Sequence, residues 1–132
     1  METIYHRKYV VPLEYLEREN FKMMLKHLND IEPVATSHGV GLKRVLLSKA
    51  ETKTGLTQIA VTRLKAGEVA DEHVHETMEE EFFFMKGVAE VEIDGKVVVC
   101  RPGDFLKVSH GVRHRLKAVE DTEMITIGAV VR

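Results

Sequence analysis

The residues best suited to chemistry lie in ADEHVHETMEEEFFFMKG, residues 70 to 87. His73 and His75 are two apart, which in a strand puts both imidazoles on one face with Cα atoms about 6.5 to 7 Å apart, close enough to converge on one ion. Glu80 opens the next run. Alternation from it sets Phe82 and Phe84 on its own face, while Glu79, Glu81, Phe83 and Met85 take the other. If the two phenylalanines face the core, a carboxylate faces it too, and a carboxylate in an apolar interior is costly unless it is paired or ligates a cation. A divalent metal resolves that conflict. The plainer reading is a pair of surface histidines and a solvated acidic run ahead of a buried strand. Further on, GDFLKVSHGVRHRL supplies His114 on the strand face of Leu116 and Ala118, with Arg113 and Arg115 projecting the other way. His110, four residues earlier, is its rival, and is otherwise a rim residue, a proton shuttle or a plain loop histidine.

In these positions the sequence resembles the cupins. The first cupin motif, G-x5-H-x-H-x4-E-x6-G, is matched by Gly67, His73, His75, Glu80 and Gly87 with every spacing intact. The second, G-x5-P-x-G-x2-H-x3-N, is matched by Gly103, Gly111 and His114, with Ser109 in place of its proline and Ala118 in place of its asparagine. Those two departures touch turn stiffness and a strand end, not the ligand. The resemblance covers residues 56 to 131 well and the earlier part loosely.

What the resemblance implies is an all-β fold, an antiparallel double-stranded β-helix or jelly-roll barrel. His73, His75, Glu80 and His114 would bind one divalent transition metal near its mouth: iron, manganese, nickel, zinc or copper, which such a ligand set does not separate. One or two coordination positions would stay open for water, substrate or dioxygen. The expected activity is that of a metal-dependent enzyme, an oxygenase, isomerase or lyase acting on a small organic substrate. The alternative is a module that holds a sugar-like ligand without turnover. Met78, Phe82, Phe84, Val91, Ile93 and Leu116 are expected to line the pocket. Glu76, Glu79 and His110 are the candidates for acid–base work.

The rest of the chain must position these groups. Its 132 residues suit one domain. A formal charge of -2 provides no broad positive field for nucleic acid or anionic lipid. Cys100 is the only cysteine, so no internal disulfide can form, and its VVVC setting reads as a buried thiol without a redox role. The start of the chain lacks the apolar core of a signal peptide, and no run is long and apolar enough to span a membrane, so a soluble, cytoplasmic protein is expected.

From about residue 42, runs such as LTQIAVTRL, EEFFFMKG, KVVVC and EMITIGAVV are punctuated by glycines, and Asp94-Gly95 is a strong two-residue hairpin signal. Eight or more short strands over residues 42–132 make a sandwich or barrel. Residues 1–41 read as an extension with one amphipathic helix near 12 to 28, on the stripe Phe21, Met24, Leu25 and Leu28. Gly39-Val40-Gly41 lacks the pattern of a phosphate loop and reads as a turn. The outward pair Phe83 and Met85 needs a cover, from that helix or from a second subunit, and a homodimer is expected.

Overall fold

The computed structural model describes residues 23–132. The chain divides into two compact units, Met1–Ile31 and Glu32–Arg132. In the first, the expected helix over residues 12 to 28 lies outside the described residues as far as residue 22. Its expected C-terminal end is not helical: residues 23–27 are irregular, and a single 3-10 turn follows at Leu28–Asp30. The local chemistry explains the change. Asn29 and Asp30 are weak helix formers, Pro33 steers its predecessor toward extended backbone, and His27 Nδ1 accepts the Asn29 N–H at 3.1 Å, a bond a continuing helix would not make.

The second unit is built of ten strands. They are β1 (Val34–Ala35), β2 (Leu42–Ser48), β3 (Leu56–Leu64), β4 (Val69–His73), β5 (Met78–Lys86), β6 (Ala89–Ile93), β7 (Lys96–Cys100), β8 (Phe105–Val108), β9 (His114–Ala118) and β10 (Thr122–Val130). All pairings are antiparallel, in a six-stranded sheet ordered β1-β2-β3-β10-β5-β8 and a four-stranded sheet ordered β4-β9-β6-β7. Residues 32–41 belong to this unit, with Val34 opposite Lys43 and Ala35 opposite Leu42.

Alternation decides what the sheets bury. In β5 Phe82 and Phe84 are 7% and 0% exposed while Phe83 between them is 41% exposed. Phe84 joins Ala89, Val91, Leu116, Ala118 and Met124 in the core, and a side chain so enclosed contributes about 1.5–3 kcal/mol. The β6–β7 hairpin turns on Asp94 and Gly95 at φ 49° and 78°, the paired left-handed backbone that an Asp-Gly type I′ turn requires. At the β5–β6 turn Gly87 has φ 83°, and a Cβ there would collide with the Asp121 carbonyl and the Thr122 backbone at the start of β10. That close approach fixes how the two sheets connect.

Candidate metal centre

The site is assembled by register across both sheets. His73 ends β4 directly opposite His114, the first residue of β9. His75 follows in the turn after β4, tethered where Gly111 N–H donates to its carbonyl at 2.7 Å. Glu80 comes from β5, in the other sheet, opposite Val108. Three imidazoles and one carboxylate thus meet, with one ligand atom of each lying within 4.8 Å of all the others. His114 is buried at 3% exposure and the other three are partly enclosed.

The hydrogen bonds set the chemistry. His73 Nδ1 donates to the Asp71 carbonyl at 2.7 Å and His114 Nδ1 to the Val112 carbonyl at 3.0 Å, so each neutral ring presents an Nε2 lone pair inward. Those Nε2 atoms lie 3.7 and 3.3 Å from Glu80 Oε1. His75 Nε2 is 2.6 Å from the same oxygen yet out of line for a hydrogen bond, and the Nε2 atoms of His73 and His75 are buried without one. Lone pairs aimed at a carboxylate oxygen repel unless a proton or a cation lies between them. Protonation is one answer: the nearby Glu80 carboxylate raises the His73 pKa against its own burial. For Glu80, burial alone would raise the pKa, but the His114 bond and the adjoining His73 and His75 rings outweigh it and hold the carboxyl well below the usual range. A divalent cation is the other answer. Ligand atoms held about 2.0–2.2 Å from one ion stand roughly 3–4 Å from each other, a range that holds the His73 and His114 separations from Glu80 while His75 stands closer, so the donors fit it in type and number.

A cavity of about 100 Å³ adjoins the cluster. His73, Glu80 and His114 form one side, with Phe82, Leu116, Leu64, Ala70 and Met124 as apolar wall. The rest of the lining is polar: Lys43 from β2, Gln58 and Thr62 from β3 and Thr126 from β10, which make the far side from the histidines, and the 36–40 loop with Thr36, Ser37 and His38, whose ring adjoins His73. The His38 ring packs on that of His73 at a centroid distance of 4.1 Å, and burial together with the neighbouring His73 lowers its pKa. The turn in this loop is centred on Ser37 and His38, where Gly39 N–H donates to the Thr36 carbonyl at 3.2 Å, and Gly39-Val40-Gly41 form the bend that follows.

Of the residues expected to line the pocket, Phe82 and Leu116 do so. Phe84 and Val91 lie in the core, Ile93 packs against that core, and Met78 has its sulfur 3.5 Å from Thr57 Oγ1, so none of these four lines the cavity. Alternation tells the inward face of a strand but not the depth at which each inward residue sits. Glu76 and His110 are exposed. Glu79 stands on the outer face beside Glu81, 3.9 Å from Lys107. Sequence reasoning missed His38, Lys43, Gln58, Thr62 and Thr126, and their only signal was the alternation of β3 and β10, which marks Thr62 and Thr126 as inward polar residues.

The fold and this cluster define the class. Residues 60–129, more than half of the chain, match the model of the cupin domain, and the chain is a member of that family. Among solved structures it is similar to a predicted oxalate decarboxylase from Thermotoga maritima, with 22% identity and a TM-score of 0.73 over 82% of this chain and 100% of the other. It is also similar to ectoine synthase from P. lautus, at 22% identity and a TM-score of 0.71 over 81% of this chain and 78% of that one. The cupin domain of Schizosaccharomyces pombe Cnp3 aligns at 13% identity with a TM-score of 0.68, over 81% of this chain and 74% of that one. At these identities the likeness establishes the fold alone. No curated protein sequence matches the chain.

Proposed function

We propose that the protein binds one divalent transition metal through His73, His75, Glu80 and His114 and acts as a metal-dependent enzyme on a small organic substrate, in the range of oxygenases, isomerases and lyases. The observation that carries this reading is the set of inward Nε2 lone pairs focused on one carboxylate oxygen, each ring fixed from behind or left unpaired. Backbone carbonyls behind ligating histidines orient the ring and raise its basicity. The bound ion would supply Lewis acidity or oxygen activation at its open positions.

The chain's own residues do the rest. His73 and His114 keep their Nδ1 protons on backbone carbonyls, so neither ring is free to shuttle protons while both Nε2 atoms ligate. Phe82, Leu116 and Met124 exclude water from the inner wall. A cavity near 100 Å³ admits a molecule, or part of one, of only a few non-hydrogen atoms, since a cavity of about 150 Å³ holds benzene. On the outer face Phe83 and Phe105 are paired neighbours, 41% and 63% exposed, and their area supports a homodimer as the working form.

Elemental analysis of protein purified without added metal tests the reading. About one transition metal per chain is expected, absent from the His73→Ala, His75→Ala double variant; equal metal content in the two proteins would remove the ligand assignment. Oxygen-consumption and product screens on the metal-loaded protein then separate an oxygenase from a redox-neutral enzyme, and silence in both favours a binding module.

A further inference from the structure

We infer that Lys43 makes this site selective for a small organic acid, a molecule that meets the metal with one oxygen group and pairs a carboxylate with the Lys43 ammonium. The inference rests on the metal-binding reading above and adds the substrate class.

Lys43 is an inward residue of β2, set opposite Thr62 of β3 and lining the same cavity as His73, Glu80 and His114. Its ammonium donates to Gln58 Oε1 at 2.8 Å, and among the described residues no carboxylate lies within ion-pair distance of it. Glu80, the acidic group on this cavity wall nearest in kind to a partner, is taken by the three histidines. An ammonium has three N–H donors, and with one on the neutral Gln58 amide oxygen it retains donors for a carboxylate in the cavity it lines.

The charge balance points the same way. Three neutral imidazoles, one carboxylate and a divalent ion leave a single positive charge at the ligand cluster. Lys43 adds a second across the cavity. A monoanion or dianion of organic acid neutralises this, whereas a neutral sugar or alcohol leaves it standing.

The spacing suits a molecule that bridges the two groups. In the order β2-β3-β10-β5, Lys43 stands three strands from Glu80, about 14 Å of backbone separation along the sheet at ~4.8 Å per strand. The reach of both side chains shortens that gap to a few atoms. Gln58 acts as a positioning residue, turning the ammonium along the wall, and the hydroxyls of Thr62 and Thr126, bonded to each other at 2.9 Å, lie on the surface between.

The test is a ligand-observed NMR titration of metal-loaded protein with malonate and with malonamide, in which both carboxylates are replaced by amides. Wild type should bind malonate about tenfold more tightly. That preference should fall to within twofold in Lys43→Gln and be retained in Lys43→Arg, with metal content equal in all three. A Lys43→Gln protein as selective as wild type overturns the inference, as does a wild type that binds neither compound or does not distinguish them. If wild type holds no metal, elemental analysis reports the failure of the metal reading separately, and the same titration of the protein as purified still decides the part played by Lys43.

Discussion

The near and far sides of the cavity hold their polar groups in different ways. On the near side His73, His75, Glu80 and His114 form one cluster, each imidazole aimed at the same carboxylate oxygen and two of them braced by backbone carbonyls. On the far side Lys43, Gln58, Thr62 and Thr126 are tied in pairs, ammonium to amide and hydroxyl to hydroxyl. A cluster focused on a point is what a cation requires, because every ligand must reach one centre. Paired groups spread over three strands suit contact with an extended molecule. The near side therefore sets what is bound as cofactor, and the far side what is bound as ligand.

The largest effect that could break this division comes from the near side. Glu80→Gln and His114→Ala should each weaken metal binding by more than about a hundredfold, beyond the 10–100-fold typical of losing an outer-shell partner, as read by competition with a chromophoric chelator. His38→Ala should leave the metal stoichiometry unchanged, since His38 touches the His73 ring but contributes no atom to the four-ligand cluster. Loss of metal in that variant would move His38 into the near side and redraw the comparison.

The near side was legible in the sequence because its signal is short-range. The spacing from Gly67 to Gly87 carries two ligands close together and a third a few residues on; His75 falls just past the end of β4 rather than on its face with His73, while alternation put Glu80 inward with Phe82 and Phe84 and turned Phe83 outward. Asp94-Gly95 was legible for a similar reason, since two consecutive left-handed residues select a narrow set of side chains. The far side was not legible. Lys43 and Gln58 meet through the β2–β3 pairing, fifteen residues apart in sequence, and Thr62 meets Thr126 across β3 and β10. No local rule marks a lysine in LKRVLLS as inward, because LKR offers a charge on either face. His38 reaches His73 from a loop whose course depends on the whole barrel.

Smaller effects sharpen the contrast. Thr126→Val removes the hydroxyl pair with Thr62, whose residue is buried, and should cost about 1 kcal/mol in denaturant unfolding with no change in metal content. Glu81, on the outer face and outside both walls, gives a control. Burial, then its bond and charge contact with Glu79, raises its pKa from 4.5 to about 6. The folded protein thus holds that proton more tightly than the unfolded chain, so stability is lost as pH rises from 4.5 to about 6 and stays lost above it. Glu81→Gln should melt higher than wild type at pH 7 and level with it near pH 4, with metal and ligand binding unaltered.

X-ray absorption spectroscopy of the metal-loaded protein reads the ligands of the ion itself. A site of His73, His75, Glu80 and His114 should show a nearest shell of nitrogen and oxygen at about 2.0–2.2 Å with the more distant scattering of three imidazoles and no sulfur. A shell with fewer than three imidazoles, or with a sulfur neighbour from Cys100 or a methionine, would contradict it.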